Sequence, residues 1–345
     1  EYRRRVDRAK TLLQDNEIDA MLIFSPASLW YYIGWTDVAQ MHGADWRGGV
    51  IVCAERDPVA VVHQIHGKYS IPLTSYIEDV RLWSEEPGYG LPTTFWSLLW
   101  DTLDDLGLRS KTIGLETGPD INTYLSFDEY KNLISNLPEA NILSADDVIF
   151  EQRMIKTPWE IRTIREGCRR GCLAVREAYE AIKPGVNELD VHQVFWEACA
   201  KYGLLESPNE STWLMFSSNA NESGGIHRWI TQPVDRIIEK GDQGMCDIGP
   251  TYKGYRMDFQ RAFYVGEPPQ KQIRLHNVAK EAFMETLESI KPGVPASEVH
   301  KVSVEAVKKR DPDQEPILDF AGHSMGLYSH EPPWIRSNVE TKIQE

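Results

Sequence analysis

Hydrophobic and polar positions alternate along the first 145 or so residues with two different periods. Tyr2 to Asn16 carries apolar residues at helical spacing and predicts an amphipathic helix, as does Phe95 to Leu106. Ala20 to Phe24, Gly49 to Cys53, Val59 to His63 and Thr112 to Leu115 are short apolar runs bounded by turn formers, the pattern of buried strands. Helix and strand in alternation predict an α/β layer structure. A long charged helix from about Pro158 to Ile182 follows the segment IFEQRMIKTP and leads into the second half. The expected division is an α/β domain over residues 1–147 and a second domain over 148–345, with the boundary near Asp147.

The second half contains an internal repeat. Ile182 to Ala198 (IKPGVNELDVHQVFWEA) and Ile290 to Ala306 (IKPGVPASEVHKVSVEA) agree at 10 of 17 positions, offset by 108 residues (290 − 182). In each copy a helix ends at Lys-Pro-Gly, since Pro cannot continue it and Gly supplies the reversal, and a new helix starts after an N-cap-like polar residue. Two copies, each leading into a strand-rich stretch, predict an α+β domain of two similar halves with a site between them.

Chemistry concentrates in two segments. GMCDIGPTYKGYRMDFQRAFYV, Gly244 to Val265, reads as strand, turn, strand. With the reversal centred on Tyr252 and Lys253, paired positions sum to 505, which sets Asp247 opposite Asp258 on one face. Two carboxylates so placed repel unless they share a proton or hold a cation, and the alternative is a turn cap beside a solvated residue. Downstream, AGHSMGLYSHEPP holds His323 and His330 with Glu331 beside the second, and SGGIHRW supplies His227. Carboxylate and imidazole donors together favour a hard or borderline divalent metal over isolated polar residues.

Composition narrows the classes. With 37 Lys+Arg against 52 Asp+Glu the net charge is −15, which disfavours a nucleic-acid partner because phosphate backbones are gripped by clustered cations. No run approaches the ~18 apolar residues of a membrane span, so no membrane is expected. The charged start, EYRRRVDRAK, has no apolar signal core. Five scattered cysteines (Cys53, Cys168, Cys172, Cys199, Cys246) do not form a disulfide framework, and Cys168 and Cys172 are expected as small core residues of one helix. A cytoplasmic protein with reduced thiols is expected.

The motif D-x-G-(x)4-G-Y-x-x-D-x-x-R from Asp247 to Arg261, and G-H-x-x-G-(x)3-H-E-x-P from Gly322 to Pro333, resemble those of the pita-bread metalloenzymes. That group contains methionine aminopeptidase, aminopeptidase P, prolidase and creatinase. The N-terminal stretch IDAMLIFSPASLWYYIGW and the linker RMIKTPWEIRTIREG resemble the aminopeptidase P, prolidase and creatinase branch, whose extra domain the short methionine aminopeptidases lack. The resemblance implies a creatinase/prolidase-like α/β N-terminal domain followed by a pita-bread domain of two similar halves.

It also implies a site with two divalent ions (Mn, Co, Zn or Fe). Asp247 would hold one ion, Asp258 would bridge both and His323 would ligate the second, while His227 and His330 would hydrogen-bond the substrate and stabilise its tetrahedral intermediate. The implied activity is hydrolysis of an amide or peptide bond in a small substrate, of the Xaa-Pro dipeptidase or aminopeptidase P kind. Two further glutamate ligands of the family lie downstream of the ligand histidine, so a chain that stops at Glu345 is expected to be shortened and to hold metal incompletely.

Proline-specific members carry histidine four positions before the ligand histidine. Here that position is Asp319, a carboxylate that would repel a substrate carboxylate. An osmolyte or other small non-peptide substrate, as for ectoine hydrolase, creatinase or dimethylsulfoniopropionate lyase, stays open, as does a non-catalytic interaction protein on the same fold. In WTDVAQMHGADWR, residues Trp35, His42, Trp46 and Arg47 are candidates for a substrate lid or for the core of the small domain. The resembling enzymes imply a homodimer in which this domain reaches over the partner's site.

Overall fold

The computed structural model describes residues 1–35, 47–118, 121, 124–204, 213–218, 232–314 and 320–345. It divides into two compact units, Glu1–Arg153 and Met154–Glu345.

The first unit is a six-stranded mixed sheet in the order β4-β3-β2-β1-β5-β6: β1 Ala20–Ile23, β2 Gly49–Cys53, β3 Val59–His63, β4 Asp79–Trp83, β5 Thr112–Leu115 and β6 Asn141–Ser144. Strands β1, β2 and β3 are buried along their whole length, which is why they read as unbroken apolar runs rather than alternating ones. Its helices are α1 Tyr2–Asp15, α2 Pro26–Ile33, α3 Ile71–Thr74, α4 Phe95–Asp105, α5 Phe127–Ser135 and α6 Asp146–Met154, the last of which ends one residue past the unit boundary. Leu98, Leu99 and Leu103 of α4 join Leu22, Ile51, Val61 and Leu115 in one core. The pattern-based bounds of these elements hold to within a residue at most ends.

In the second unit, α7 Pro158–Ala181 starts where Thr157 and Glu160 form a capping box ahead of Pro158, a start that satisfies two of the helix's orphan donors and uses proline where no donor is missed. It pairs with α8 Glu188–Tyr202, and the two lie on a three-stranded antiparallel sheet ordered β11-β8-β7: β7 Trp213–Ser217, β8 Gln243–Gly249 and β11 Phe259–Tyr264. Ala174, Ala178, Phe195 and Cys199 meet Ile248 and Met257 in the core between them. Cys172 is exposed, contrary to expectation, because the buried face of α7 runs through Thr163, Gly167, Gly171, Ala174 and Ala178. All five cysteines are free.

The repeat is a structural repeat. Helices α9 Gln270–Ser289 and α10 Ala296–Arg310 form the second hairpin. Gly185 and Gly293 both adopt φ +89°, a left-handed conformation that a β-carbon disfavours, which is why Lys-Pro-Gly recurs. Each loop is held by a later segment, Gly185 N–H and Gly293 N–H donating to the carbonyls of Ile238 and Ile343. The copies differ at the helix start. Asn187 caps α8 with its side chain, whereas Pro295 occupies the same place before α10 and makes no side-chain cap, so the expected polar residue is present in one copy only.

The hairpin register differs from the expected one. Tyr252 of β9 (Thr251–Tyr252) pairs with Tyr255 of β10 (Tyr255–Arg256), and Asp247 pairs with Gln260. Paired positions thus sum to 507 (247 + 260), not 505. Lys253 and Gly254 both have positive φ, as a two-residue type I′ turn demands, and Gly is the residue that meets this demand without strain. The turn therefore centres one residue later than the polar pattern indicated. A two-residue change of partner keeps the face, so Asp258 lies diagonal to Asp247 rather than opposite it.

Among the described residues no helix is long and apolar enough to cross a membrane.

Candidate metal centre

Asp258 sits between β10 and β11, where Met257 N–H keeps register by donating to the carbonyl of Pro250, which has no N–H to return. Its neighbours fix it from behind. A β-carbon on Gly167 would come within 2.5 Å of the Met257 sulfur, and one on Gly171 within 2.5 Å of the Phe259 ring. The two glycines let α7 lie against the residues on either side of Asp258.

The opposing arm is a ribbon of β12 Gly322–Ser324 and β13 Glu331–Ile335. His323 pairs with Trp334 and Ser324 with Glu331, so the register slips between His323 and Ser324. A slip of this kind re-aims a side chain. The arms are joined directly: Arg256 N–H donates to the carbonyl of Gly326 at 2.7 Å, and the fully buried Arg256 guanidinium donates to the carbonyl of Gly249.

These arms bring together Asp258, His323 and His330, each offering one donor atom, all within 4.8 Å of one another. His323 Nε2 stands 3.5 Å from Asp258 Oδ2. Its Nδ1 lies 2.9 Å from the carbonyl of Ser324, which can only accept, so Nδ1 carries a proton and Nε2 is the ring nitrogen that faces the carboxylate. The His330 ring lies 4.2 Å from that of His323 and stacks on Trp334 with an interplanar angle of 9°.

Asp247 is not in that tight group but shares its field. Burial first, then the Asp258 charge, push its carboxyl up to about 6, against a hydrogen bond from Gln260 Nε2 at 3.0 Å. Burial also raises Asp258, opposed by His323, His330 and Arg256. Two carboxyls both held above their ordinary values beside a pair of imidazoles form a site short of positive charge. That donor set fits a divalent cation.

Other candidates divide. His227, Asp319, His42 and Trp46 lie outside the described residues. Trp35 is 2 % exposed and donates from its indole nitrogen to Ser70 Oγ, so it belongs to the core of the first unit and not to an exposed aromatic pair. Arg47 is tied to Glu129 at 2.8 Å and to the carbonyl of Tyr124. Sequence reasoning missed Gln260, Arg256 and Trp334. Gln260 was hidden by the register, Arg256 by its position inside the motif, and Trp334 carried no signal of its own.

Glu331 is 1 % exposed and accepts from the backbone of Leu327 and Tyr328 at 2.8 and 3.1 Å. Its carboxylate fills the space beside Gly326, where an added β-carbon would meet Oε2 at 2.6 Å.

Residues 162–345 match the model of metallopeptidase family M24, and residues 5–155 match the creatinase/prolidase N-terminal domain. An Xaa-Pro dipeptidase of Pyrococcus furiosus is 25% identical over 341 residues, which cover 99% of this chain and 87% of that protein. A second, of Pyrococcus horikoshii, is 30% identical over 200 residues, 58% of this chain and 55% of that one. Among solved structures, a recombinant prolidase from Thermococcus sibiricus superposes with a TM-score of 0.82 at 18% identity, over 100% of this chain and 87% of that one, a likeness of fold.

Proposed function

The chain belongs to metallopeptidase family M24, and on that premise we propose that it is a metal-dependent dipeptidase that cleaves small amide-bonded substrates of the Xaa-Pro type. The observation that carries the reading is the convergence of Asp258, His323 and His330 beside a charge-deficient Asp247. The dipeptidase name shared by the two Pyrococcus relatives supports the substrate class.

Asp247, Asp258 and His323 would hold the ions, with His330 against them. Divalent ions supply Lewis acidity, polarising a carbonyl and acidifying water. The protein's own residues supply the rest. The Nδ1–H bond to the Ser324 carbonyl would orient the His323 ring so that Nε2 is the atom presented to an ion. Trp334, stacked on His330, restricts that ring to one plane at the edge of the site, where it can donate to a developing oxyanion. Asp247, whose carboxyl is pushed up to about 6, would give up its proton to hold an ion.

A second reading, a small amide lacking proline, is favoured by Asp319 in the sequence position where proline-specific members have histidine. The five free cysteines support a reducing compartment such as the cytoplasm, and a homodimer belongs to the same proposal. The test, made on the full-length protein, is removal of metal by chelation, re-addition of Mn²⁺, Co²⁺, Zn²⁺ or Fe²⁺ singly, and assay of Xaa-Pro against Xaa-Ala dipeptides. Metal-restored cleavage is expected with Xaa-Pro the better substrate; equal or better cleavage of Xaa-Ala selects the second reading, and no cleavage of either with any ion refutes both.

A further inference from the structure

We infer that Lys156, just ahead of α7 in the second unit, is a positioning residue for the two histidines of the metal centre. The inference rests on the metal reading above and adds a residue to it. Lys156 Nζ donates to Ser324 Oγ at 3.2 Å and lies 3.6 Å from Glu331 Oε2. Ser324 follows His323 in the chain and Glu331 follows His330, so one ammonium group holds the immediate neighbour of each histidine.

The place it holds is the weak point of the ribbon. Ser324 pairs with Glu331 across the register slip, and the two residues that the slip leaves over on β13 are Pro332 and Pro333, which have no N–H to give to β12. The ladder is interrupted there, and side chains must keep the strands in register. Lys156 bridges the two strands at that level, with its side chain 14% and that of Glu331 1% exposed, so solvent screens the pair poorly. Lys156 also sets a positive charge 3.6 Å from this buried carboxylate.

The same segment holds the other arm. Four residues on, Glu160 accepts from Tyr255 Oη at 2.7 Å through one oxygen and from Thr157 N–H at 2.8 Å through the other. Tyr255 begins the strand that leads to Asp258. The turn Lys156 to Glu160 therefore grips the histidine ribbon at one end and the aspartate hairpin at the other, and the start of α7 sets the spacing of the donors.

The test uses the full chain and Zn²⁺ as the probe, with binding followed by isothermal titration and the imidazole tautomers of the metal-free protein followed by ¹⁵N nuclear magnetic resonance. Lys156→Met is expected to weaken Zn²⁺ binding by roughly 10- to 100-fold and to shift the metal-free His323 signal from a single Nδ1–H tautomer toward a mixture, with Lys156→Arg restoring most of both. The double variant Lys156→Met with Glu331→Gln removes both charges. It is expected to recover thermal midpoint but not Zn²⁺ affinity, and it serves if the single variant fails to fold. Zn²⁺ affinity within twofold of wild type in either variant, or affinity that recovers together with stability in the double variant, overturns the inference. If the unaltered chain takes up no Zn²⁺ while Lys156→Met still disturbs the His323 tautomer, the metal reading fails and the positioning role stands; an undisturbed tautomer overturns the role whatever the metal does.

Discussion

The Asp247 carboxyl, raised to about 6, makes the centre sensitive to acidity. Its folded value lies above the ordinary carboxylate value, so the folded state binds the proton more tightly than the unfolded chain. Any stability this brings is present below about pH 4 and is lost as pH rises toward 6. Asp247→Asn should therefore stabilise the metal-free protein relative to wild type at pH 7 but not at pH 4.5, as measured by urea midpoints at both pH values. If Asp247 holds an ion as proposed, cation uptake displaces that proton, so apparent Zn²⁺ affinity should climb between pH 5 and 7 and the climb should flatten in the same variant. Direct titration at four or five pH values checks this; an unaltered slope would mean that Asp247 does not face the ion.

Between elements, the contact that matters most for the site is α7 against the residues flanking Asp258. Gly171→Ala places a β-carbon 2.5 Å from the Phe259 ring, and overpacking of this kind costs ~1–3 kcal/mol, larger than the up to ~1 kcal/mol that alanine gains over glycine inside a helix. The expected outcome is a lower thermal midpoint with weaker Zn²⁺ binding, because the strain falls on the strand next to Asp258. Tyr255→Phe, which leaves buried Glu160 short of one donor, should cost ~1–3 kcal/mol in chemical denaturation. Much at this level was legible in the sequence. The strands of the first sheet were visible because both their faces are buried, which leaves unbroken apolar runs, and α7 because Thr157, Pro158 and Glu160 form a complete start signal. The hairpin register was not, since polar residues mark a turn without saying which pair takes positive φ, and only Gly254 held that information. The bracing by Lys156 was also out of reach, because a contact spanning 168 residues leaves no local pattern.

At the scale of the molecule, the repeat and the two motif segments identify the same architecture from independent signals. The two helix hairpins turn at glycines of identical φ, so Gly185→Ala and Gly293→Ala should destabilise by similar amounts, ~1 kcal/mol or more each. Paired thermal melts would test that equivalence, and a large disparity would show that the copies bear unequal loads. Zn²⁺ at 100 times its dissociation constant should stabilise the fold by ~2.7 kcal/mol. Hydrogen exchange should place the gain in protection at residues 243–264 and 322–335, which carry Asp247, Asp258, His323 and His330. The net charge of −15 will favour approach of cations at low ionic strength, an effect that salt removes.

Gly326 and Glu331 occupy one another's space. Neither position can be varied freely in a mutant library: a methyl group at 326 evicts the carboxylate that anchors the loop ahead of His330. Tolerated substitutions at the glycine should surface only alongside a shortened acid, aspartate, five residues further on. The two sites would then be inherited as a linked pair in any selection for retained metal uptake.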